Sequence, residues 1–203
     1  LGHMTDRPDE ALQLAGEDNL QVCQPSTAAQ YFHLLRRQAL RKWRKPLIVF
    51  TPKSMLRAAD AASPVEAFAR PRFETLLRDR EVTAARRILI ASGKILHELR
   101  AERQRRHIED IAILGLEQIY PFPEAELEAE LARYAAAREV LWVQEEPANA
   151  GGLHSGLIPL LLGEQPIKIG RRLAHATLQG HIPGLLDAGA DVGPASDDLV
   201  GAR

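Results

Sequence analysis

Cationic side chains crowd one short stretch of the chain. Six of the ten residues from 36 to 45 are lysine or arginine, and no acidic residue lies between Asn19 and Asp60. Cations at this density repel one another unless an anion neutralises them. Two interpretations stay open: a solvated helix face, or a site for a phosphate, a regulatory nucleotide or an acidic partner surface. The candidate anion ligands are Arg37, Arg41, Arg44, Lys45 and Lys53.

Polar and acidic side chains follow a predicted strand further along the chain. Gln144, Glu145 and Glu146 come directly after the apolar run 141–143. In an α/β sheet, residues just beyond the carboxyl ends of strands face the ligand crevice. These three residues, together with Trp142, are therefore candidates for a cleft or an interface. The alternative is that the carboxylates only cap the segment that follows.

An aromatic, proline-rich segment, Glu117–Pro123, follows another predicted strand. Its two prolines and its two rings, Tyr120 and Phe122, predict a rigid apolar loop. Such a loop favours packing or an interface over chemistry. With Trp142 it predicts an exposed apolar patch through which the isolated chain self-associates.

Complete catalytic motifs are absent from the sequence. It contains neither G-x-G-x-x-G nor H-E-x-x-H, and its single cysteine, Cys23, excludes a disulfide framework and a cysteine-based zinc site. Gly93 and Lys94 follow a strand as in a phosphate-binding loop, but Ile95 stands where serine or threonine is required. The seven histidines are scattered. We therefore assign no catalytic, cofactor-binding or metal-ligating residue.

Hydrophobic periodicity predicts a strand–helix–strand unit over residues 20–50. The helix begins at Thr27, which forms a capping box with Gln30, and it ends before Pro46. Four apolar residues recur at helical spacing: Phe32, Leu35, Ala39 and Trp43. Short apolar runs at 20–23 and 47–50 predict the flanking strands.

Strands alternate with helices from residue 87 onwards, which predicts an α/β fold with a mostly parallel sheet flanked by helices. The predicted strands lie at 88–90, within 108–116, at 140–143 and at 167–169. The predicted helices lie at 95–106, 124–138 and 153–162. Segment 58–85 lacks periodicity and predicts a linker, and segment 183–203 predicts a disordered tail.

Composition narrows the class of protein. The chain has 203 residues, 45% of them hydrophobic, which is enough for a substantial core. Its 26 basic and 27 acidic residues nearly cancel, and aromatic residues do not alternate with the cations, so we expect no nucleic-acid partner. No apolar run approaches the roughly 20 residues of a membrane span, and no signal-peptide core is recognisable. These features predict a cytoplasmic protein without a membrane partner.

Five stretches of the sequence, in this order, resemble the C-terminal part of the E1 component of 2-oxoglutarate dehydrogenase. They are Gln30–Gln38 (QYFHLLRRQ), Lys45–Ser54 (KPLIVFTPKS), Ser92–Lys94 (SGK), Glu117–Pro123 (EQIYPFP) and Trp142–Asn149 (WVQEEPAN). The resemblance covers residues 11–180. It implies that residues 1–57 are the last strand–helix–strand of a pyrimidine-binding-type domain and that 58–85 are a linker. Residues 86–182 then form a transketolase-like C-terminal domain.

The resemblance also implies an activity for the intact enzyme. A bacterial E1 homodimer decarboxylates 2-oxoglutarate with thiamine diphosphate and Mg²⁺ and passes the succinyl group to the lipoyl-bearing E2 succinyltransferase. This part would supply the dimer interface and one wall of the cleft. The family's Gly-Asp-Gly cofactor motif is absent from the sequence, so we expect no cofactor binding by this chain alone.

The resemblance bears on regulation as well. In actinobacterial members an acetyl-CoA site uses a cation before Pro-Leu-Ile, a glutamine in the Glu-Gln motif and an arginine pair. Lys45 and Gln118 match the first two, but Ala125 and Glu126 replace the pair. Gln118 is therefore a candidate nucleotide ligand, although tight acetyl-CoA binding is not expected. His3, near the family's His-Ser-Ser-Ala-Arg segment, is a cleft candidate. The alternative function is a non-catalytic module that binds a nucleotide or an acidic partner.

Overall fold

The computed structural model describes residues 14–69, 72–144, 172–177 and 185–187. Four helices are present in these ranges: α1 (Ala28–Leu40), α2 (Val65–Phe68), α3 (Lys94–Arg105) and α4 (Glu124–Arg133). The strands are β1 (Gln21–Cys23), β2 (Leu47–Val49), β3 (Leu76–Leu77), β4 (Arg87–Ala91), β5 (Ile111–Leu116), β6 (Gln118–Tyr120), β7 (Glu139–Gln144) and β8 (Arg172–Thr177). Short 3-10 helices lie at Lys53–Arg57 and Ala59–Ala61.

The strands form two mixed sheets. The smaller sheet has the order β2–β1–β6, with β1 parallel to β2 and antiparallel to β6. The larger sheet has the order β3–β5–β4–β7–β8, in which β5, β4, β7 and β8 are parallel and β3 is antiparallel to β5. The α/β class is confirmed. The expectation of a mostly parallel sheet is not confirmed, because an antiparallel strand closes one edge of each sheet.

The larger sheet is buried on both faces. Alternate residues of β4 pack into different clusters, because successive side chains of a strand point to opposite faces. Ile88 and Ile90 lie in the cluster that includes Leu127 and Leu131 of α4. Leu89 lies in the other cluster, which holds the apolar side of α3. The smaller sheet packs into the α4 cluster, so one continuous core joins the two sheets.

Helix α1 begins where the sequence predicts. The hydroxyl oxygen of Thr27 accepts a hydrogen bond from the backbone N–H of Gln30 at 3.3 Å. The reciprocal half of the predicted capping box does not form, because the Gln30 side-chain oxygen accepts from the backbone N–H of Glu74 instead. The helix ends at Leu40, earlier than predicted. Gln38 donates to the carbonyl of Lys45 and holds the chain that turns back after the helix.

Three further predictions differ from the structure. Within the predicted linker 58–85, Phe73 and Leu76 are buried and β3 pairs with β5, so this part packs on the larger sheet. Helix α4 ends at Arg133 because Tyr134 leaves helical geometry, and its buried hydroxyl donates to the carbonyl of Val82. In the predicted tail, Leu185 and Leu186 are buried in the α3 cluster.

Several predictions concern residues that the structure does not describe. The predicted helix 153–162, the predicted strand 167–169 and the candidates His3, Glu145 and Glu146 lie outside the described residues. Strand β8 was not predicted. In the described ranges no helix is both long and apolar enough to cross a membrane.

Candidate functional site

A cluster of polar residues lies where the two sheets meet. Strand β5 of the larger sheet ends at Leu116 and β6 of the smaller sheet begins at Gln118, so Glu117 alone connects them. The carboxyl ends of β1, β4 and β5 converge there. We call this cluster the polar junction, and it consists of Gln24, Ser26, Gln30, Ser92, His97 and Glu117.

Glu117 is the centre of the polar junction. Its side chain is completely buried, and its carboxylate accepts hydrogen bonds from the backbone N–H of Ser26 at 2.9 Å and from the Ser26 hydroxyl. Gln30 donates a longer bond of 3.4 Å. Burial raises the pKa of Glu117 to about 7, although these hydrogen bonds and Arg100 oppose the rise. Burial in this site therefore favours the protonated form of the carboxyl relative to an exposed glutamate.

Hydrogen bonds tie β1 to the larger sheet around this carboxyl. The Ser92 hydroxyl donates to the side-chain oxygen of Gln24 at 2.8 Å, and Nε2 of His97 lies 2.8 Å from the carbonyl oxygen of Ser26. Gly93 has a positive φ of 66°, and a Cβ there would lie 2.4 Å from the Gln24 amide. Only glycine allows this close approach without strain. The polar junction thus connects the two sheets through specific side-chain hydrogen bonds.

A second buried charge cluster lies beside the polar junction. Arg103 of α3 is 3% exposed and pairs with the buried carboxylate of Asp79. Asp79 also accepts from the backbone N–H groups of Ile113, Glu81 and Val82. Burial alone would raise the pKa of Asp79, but the hydrogen bonds outweigh it and lower that pKa. This pair fastens the loop after β3 to the larger sheet.

Metal chemistry has no support in the described part of the chain. No group of three His, Cys, Asp or Glu residues is placed there to hold a metal ion. The three buried carboxylates in the described ranges, Asp79, Glu117 and Glu130, are all bonded to protein groups. The described residues therefore do not fit a metal–diphosphate site.

Comparison with known proteins decides the family. The pattern described as "Transketolase, pyrimidine binding domain" matches residues 9–59, and the pattern described as "2-oxoglutarate dehydrogenase C-terminal" matches residues 62–157. The chain is 46% identical over 152 residues to the 2-oxoglutarate dehydrogenase E1 component of Cupriavidus necator. It is 45% identical over 154 residues to that of Coxiella burnetii. The chain belongs to the 2-oxoglutarate dehydrogenase E1 family.

The match covers only part of each E1 relative. The alignments with the Cupriavidus and Coxiella proteins include 73% of this chain but 16% of each relative. A longer alignment, 39% identical over 186 residues, joins the chain to a 2-oxoglutarate dehydrogenase E1/E2 component of Corynebacterium glutamicum; it includes 88% of this chain and 15% of that relative. The chain thus corresponds to the C-terminal portion of an E1 component.

Two of the predicted anion ligands, Arg37 and Gln118, lie beside the buried thiol of Cys23. Arg37 and Gln118 both approach Cys23 Sγ, at 3.7 Å and 3.9 Å. Arg37 donates to the side chain of Gln21 and lies 4.4 Å above the Phe73 ring, and Gln118 donates to the carbonyl of Pro121. Burial raises the pKa of the Cys23 thiol to about 12 and lowers that of Arg37.

The remaining predicted anion ligands lie nearer the surface. Arg41, Arg44 and Lys53 are exposed, and Lys45 is half-buried. Arg44 donates to the carbonyl of Ala39 at the end of α1. An anion site formed by these residues stays a prediction.

The predicted aromatic patch is not exposed. Trp142 is 4% exposed and donates to the side chain of Gln144, which is buried as well. Tyr120 and Phe122 pack against the α4 cluster, and the Tyr120 hydroxyl accepts from the backbone N–H of Asp18. Residues 118–120 form β6 rather than a loop. The exposure expected for Trp142 is therefore wrong, and Tyr120 and Phe122 are half-buried.

Sequence reasoning missed the residues that the structure brings together at the polar junction. Glu117 stands directly after a predicted strand, so the strand-end rule that selected Gln144 could have selected it. Ser26, His97 and Asp79 carried no comparable local signal. Their contacts join residues more than twenty positions apart.

Proposed function

We propose that this chain is the C-terminal portion of a 2-oxoglutarate dehydrogenase (succinyl-transferring) E1 component. The intact enzyme would decarboxylate 2-oxoglutarate with thiamine diphosphate and Mg²⁺ and transfer the succinyl group to the lipoyl group of the E2 partner. The observation that carries this proposal is the ordered match to two E1-type patterns over residues 9–59 and 62–157. The bacterial origin of the relatives supports a cytoplasmic location.

The residues described here have a positioning role in this proposal. Cofactor and Mg²⁺ would be held by parts of E1 that the matched region does not include. Residues 1–57 would complete the pyrimidine-binding-type domain, and residues 86–182 would form the transketolase-like domain. Residues 58–85 would connect the two units, with the part around Phe73 and Leu76 packed on the larger sheet. The polar junction would then fix the angle between the two units.

The chain alone should neither bind thiamine diphosphate nor decarboxylate 2-oxoglutarate, because it lacks the diphosphate motif. Isothermal titration of thiamine diphosphate with Mg²⁺ should give no heat beyond dilution. Activity should appear when the chain is combined with a Cupriavidus necator E1 truncated before the matched region, because the joined pieces restore the whole subunit.

Two controls sharpen this experiment. The matching C-terminal piece of the Cupriavidus enzyme should restore activity to the same truncated partner, and the Leu34→Asp variant of our chain, which buries a charge in α1, should not. Restoration by the Cupriavidus piece but not by our chain would contradict the proposed function. Micromolar cofactor binding by the chain alone would contradict the positioning role.

We further propose that the E1 homodimer uses the outer face of α1. Tyr31, Phe32 and Leu35 are 39%, 44% and 45% exposed on this helix, while Leu34 on its other side is fully buried. Leu40 at the end of the helix and Trp43 beyond it are exposed apolar residues as well. A contiguous apolar surface of this kind favours a protein interface. The occupant proposed is a second copy of this chain.

Sedimentation velocity should therefore show concentration-dependent dimers of the wild-type chain. The Leu35→Glu variant should weaken the dimer at least tenfold, because association would bury an unpaired charge. The matched control is Val65→Glu, which changes an exposed apolar residue outside α1. A wild-type chain that remains monomeric at high concentration, or equal loss in both variants, contradicts this interface.

A further inference from the structure

An apolar cavity of about 580 Å³ lies at the carboxyl ends of β1 and β2. These strands are parallel, so both end at the same edge of the smaller sheet. Residues 25–28, which lead from β1 into α1, form one wall of the cavity. Residues within 51–62, which come after β2 and which we call the wall segment, form a second wall. The proposed E1 function assigns nothing to this cavity.

The wall segment is folded but contributes no side chain to the core. It forms the two 3-10 helices, and none of its residues, all of which the structure describes, is buried. Its hydrogen bonds are local, because the backbone N–H groups of Met55, Ala58, Ala61 and Ala62 donate to carbonyls three residues earlier. Ordering a segment costs conformational entropy, and burial of apolar surface is the main term that offsets this cost. We therefore expect a partner to cover the wall segment.

The polar groups of the cavity do not favour a polar small molecule. The Ser26 hydroxyl donates to Glu117, and the Thr27 hydroxyl accepts from the backbone N–H of Gln30, so both are engaged within the protein. Arg57 is the one charged residue among the described residues that line the cavity. Larger apolar side chains on the walls are Pro25, Tyr31, Pro52, Met55 and Leu56. A small ligand is oriented by several convergent polar groups, whereas the apolar side chains of a protein segment need only apolar walls.

Strand β2 extends this apolar surface from the cavity to the edge of the smaller sheet. Its residues Leu47–Val49 are half-buried, and β2 is an edge strand of the sheet in the described part of the chain. Proteins normally cover an apolar edge strand. The alignments with the Cupriavidus and Coxiella E1 components include only 16% of each relative. Most of an E1 subunit therefore lies outside the matched region and can cover this surface.

We propose that an apolar segment of the E1 polypeptide, from the residues that precede the matched region, packs into this cavity. Its apolar side chains contact Met55 and Leu56, and a carboxylate beside them pairs with the exposed Arg57. Because the occupant is the rest of an E1 subunit, this assignment rests on the proposed function. Tyr31 borders both the cavity and the outer face of α1, so Leu56 on the wall segment is the position to test.

Photo-cross-linking in a full-length hybrid enzyme identifies the occupant. In the hybrid, the 203-residue chain replaces the corresponding C-terminal region of Cupriavidus necator E1, and the photoreactive amino acid p-benzoylphenylalanine replaces Leu56. Irradiation should join position 56 to a peptide from the residues before the matched region, in a product with the mass of one subunit. The matched control carries the probe at Val65, which is 76% exposed against 72% for Leu56 and lies outside the cavity. It should give none of that product.

Melting temperatures provide a second measurement on the same two positions. Leu56 is exposed in the isolated chain, so Leu56→Glu should leave the melting temperature of that chain unchanged. In the hybrid the same substitution buries a charge, and we expect a fall of about 3 °C or more. Val65→Glu should leave both melting temperatures unchanged.

The possible failures are distinguishable. An inactive hybrid, under conditions in which the Cupriavidus enzyme is active, would overturn the proposed function and this interface together. An active hybrid whose probe at position 56 gives no cross-link, or joins a second subunit, would overturn the interface alone. An unchanged melting temperature of the Leu56→Glu hybrid would also overturn it, because the cavity then holds only solvent. An equal fall in the isolated chain would do the same, because Leu56 would then stabilise the chain itself.

Discussion

Asp79→Asn should lower the free energy of unfolding by about 3–5 kcal/mol, because it removes the buried counter-charge of Arg103 and leaves only the exposed carboxylate of Glu81 as its ionic partner. The side chains of Asp79 and Arg103 are nearly inaccessible to solvent. The carboxylate also receives three backbone N–H groups, so its loss disturbs the loop after β3 as well as the ion pair. Urea unfolding followed by tryptophan fluorescence measures the change.

Glu81→Gln provides the matched control for this prediction. Glu81 pairs with the same Arg103, but its side chain is 71% exposed. Exposed ion pairs contribute roughly 0–1 kcal/mol, so the control should lose no more than that.

The stability that Asp79 contributes should depend on pH. Folding lowers the pKa of Asp79, so this contribution is present above the unfolded value near 4 and disappears as the pH falls through the native value. Equal losses in the two variants, or a loss in Asp79→Asn that persists at strongly acid pH, would contradict the proposed buried pair.

Glu117→Gln should change how stability depends on pH. The native carboxyl has a pKa of about 7 against an ordinary value of 4.5, so the folded state holds a proton that the unfolded state releases between these values. Wild-type stability therefore falls as the pH rises from 4.5 to 7 and then levels off. The shift corresponds to roughly 3 kcal/mol. Relative to the wild type, Glu117→Gln should gain about this amount between pH 4.5 and pH 8.

The comparison is made on differences between variant and wild type, because other carboxyls also titrate in this range. Glu128→Gln, an exposed glutamate on α4, should show a difference that stays flat across the same pH values. Urea unfolding at several pH values supplies the free energies. A flat difference for Glu117→Gln, or a difference with the opposite slope, would show that the buried carboxyl is ionised throughout and that the three hydrogen bonds outweigh burial.

Local pattern was sufficient for several parts of this protein. Apolar runs predicted β1, β2, β4 and the centre of β7, because buried strands leave few other residues at those positions. The cap at Thr27 and the helical spacing after it located α1. Local sequence also indicated the family, since the stretches around Gln30, Lys45 and Glu117 resemble E1 components directly.

The sequence pattern did not predict which side of α1 is buried. Phe32 and Leu35 recur at helical spacing, yet both are more than two-fifths exposed, whereas the polar Gln30 and His33 are buried. These polar side chains are accommodated because Glu74 and Ala67 offer carbonyl acceptors from distant parts of the chain. Periodicity identifies an apolar face, but the partner elements determine which face is covered.

The sequence by itself determined the class of fold, the strand and helix that begin the chain, and the family to which it belongs. Only the tertiary structure decided that β6 leaves the larger sheet for the smaller one, that Trp142 is internal and that Glu117 joins the sheets. The physical reason is the separation along the chain between the residues that interact. Periodicity, caps and motifs depend on neighbours along the chain, whereas the pKa of Glu117 and the ion pair between Arg103 and Asp79 depend on residues that only folding brings near.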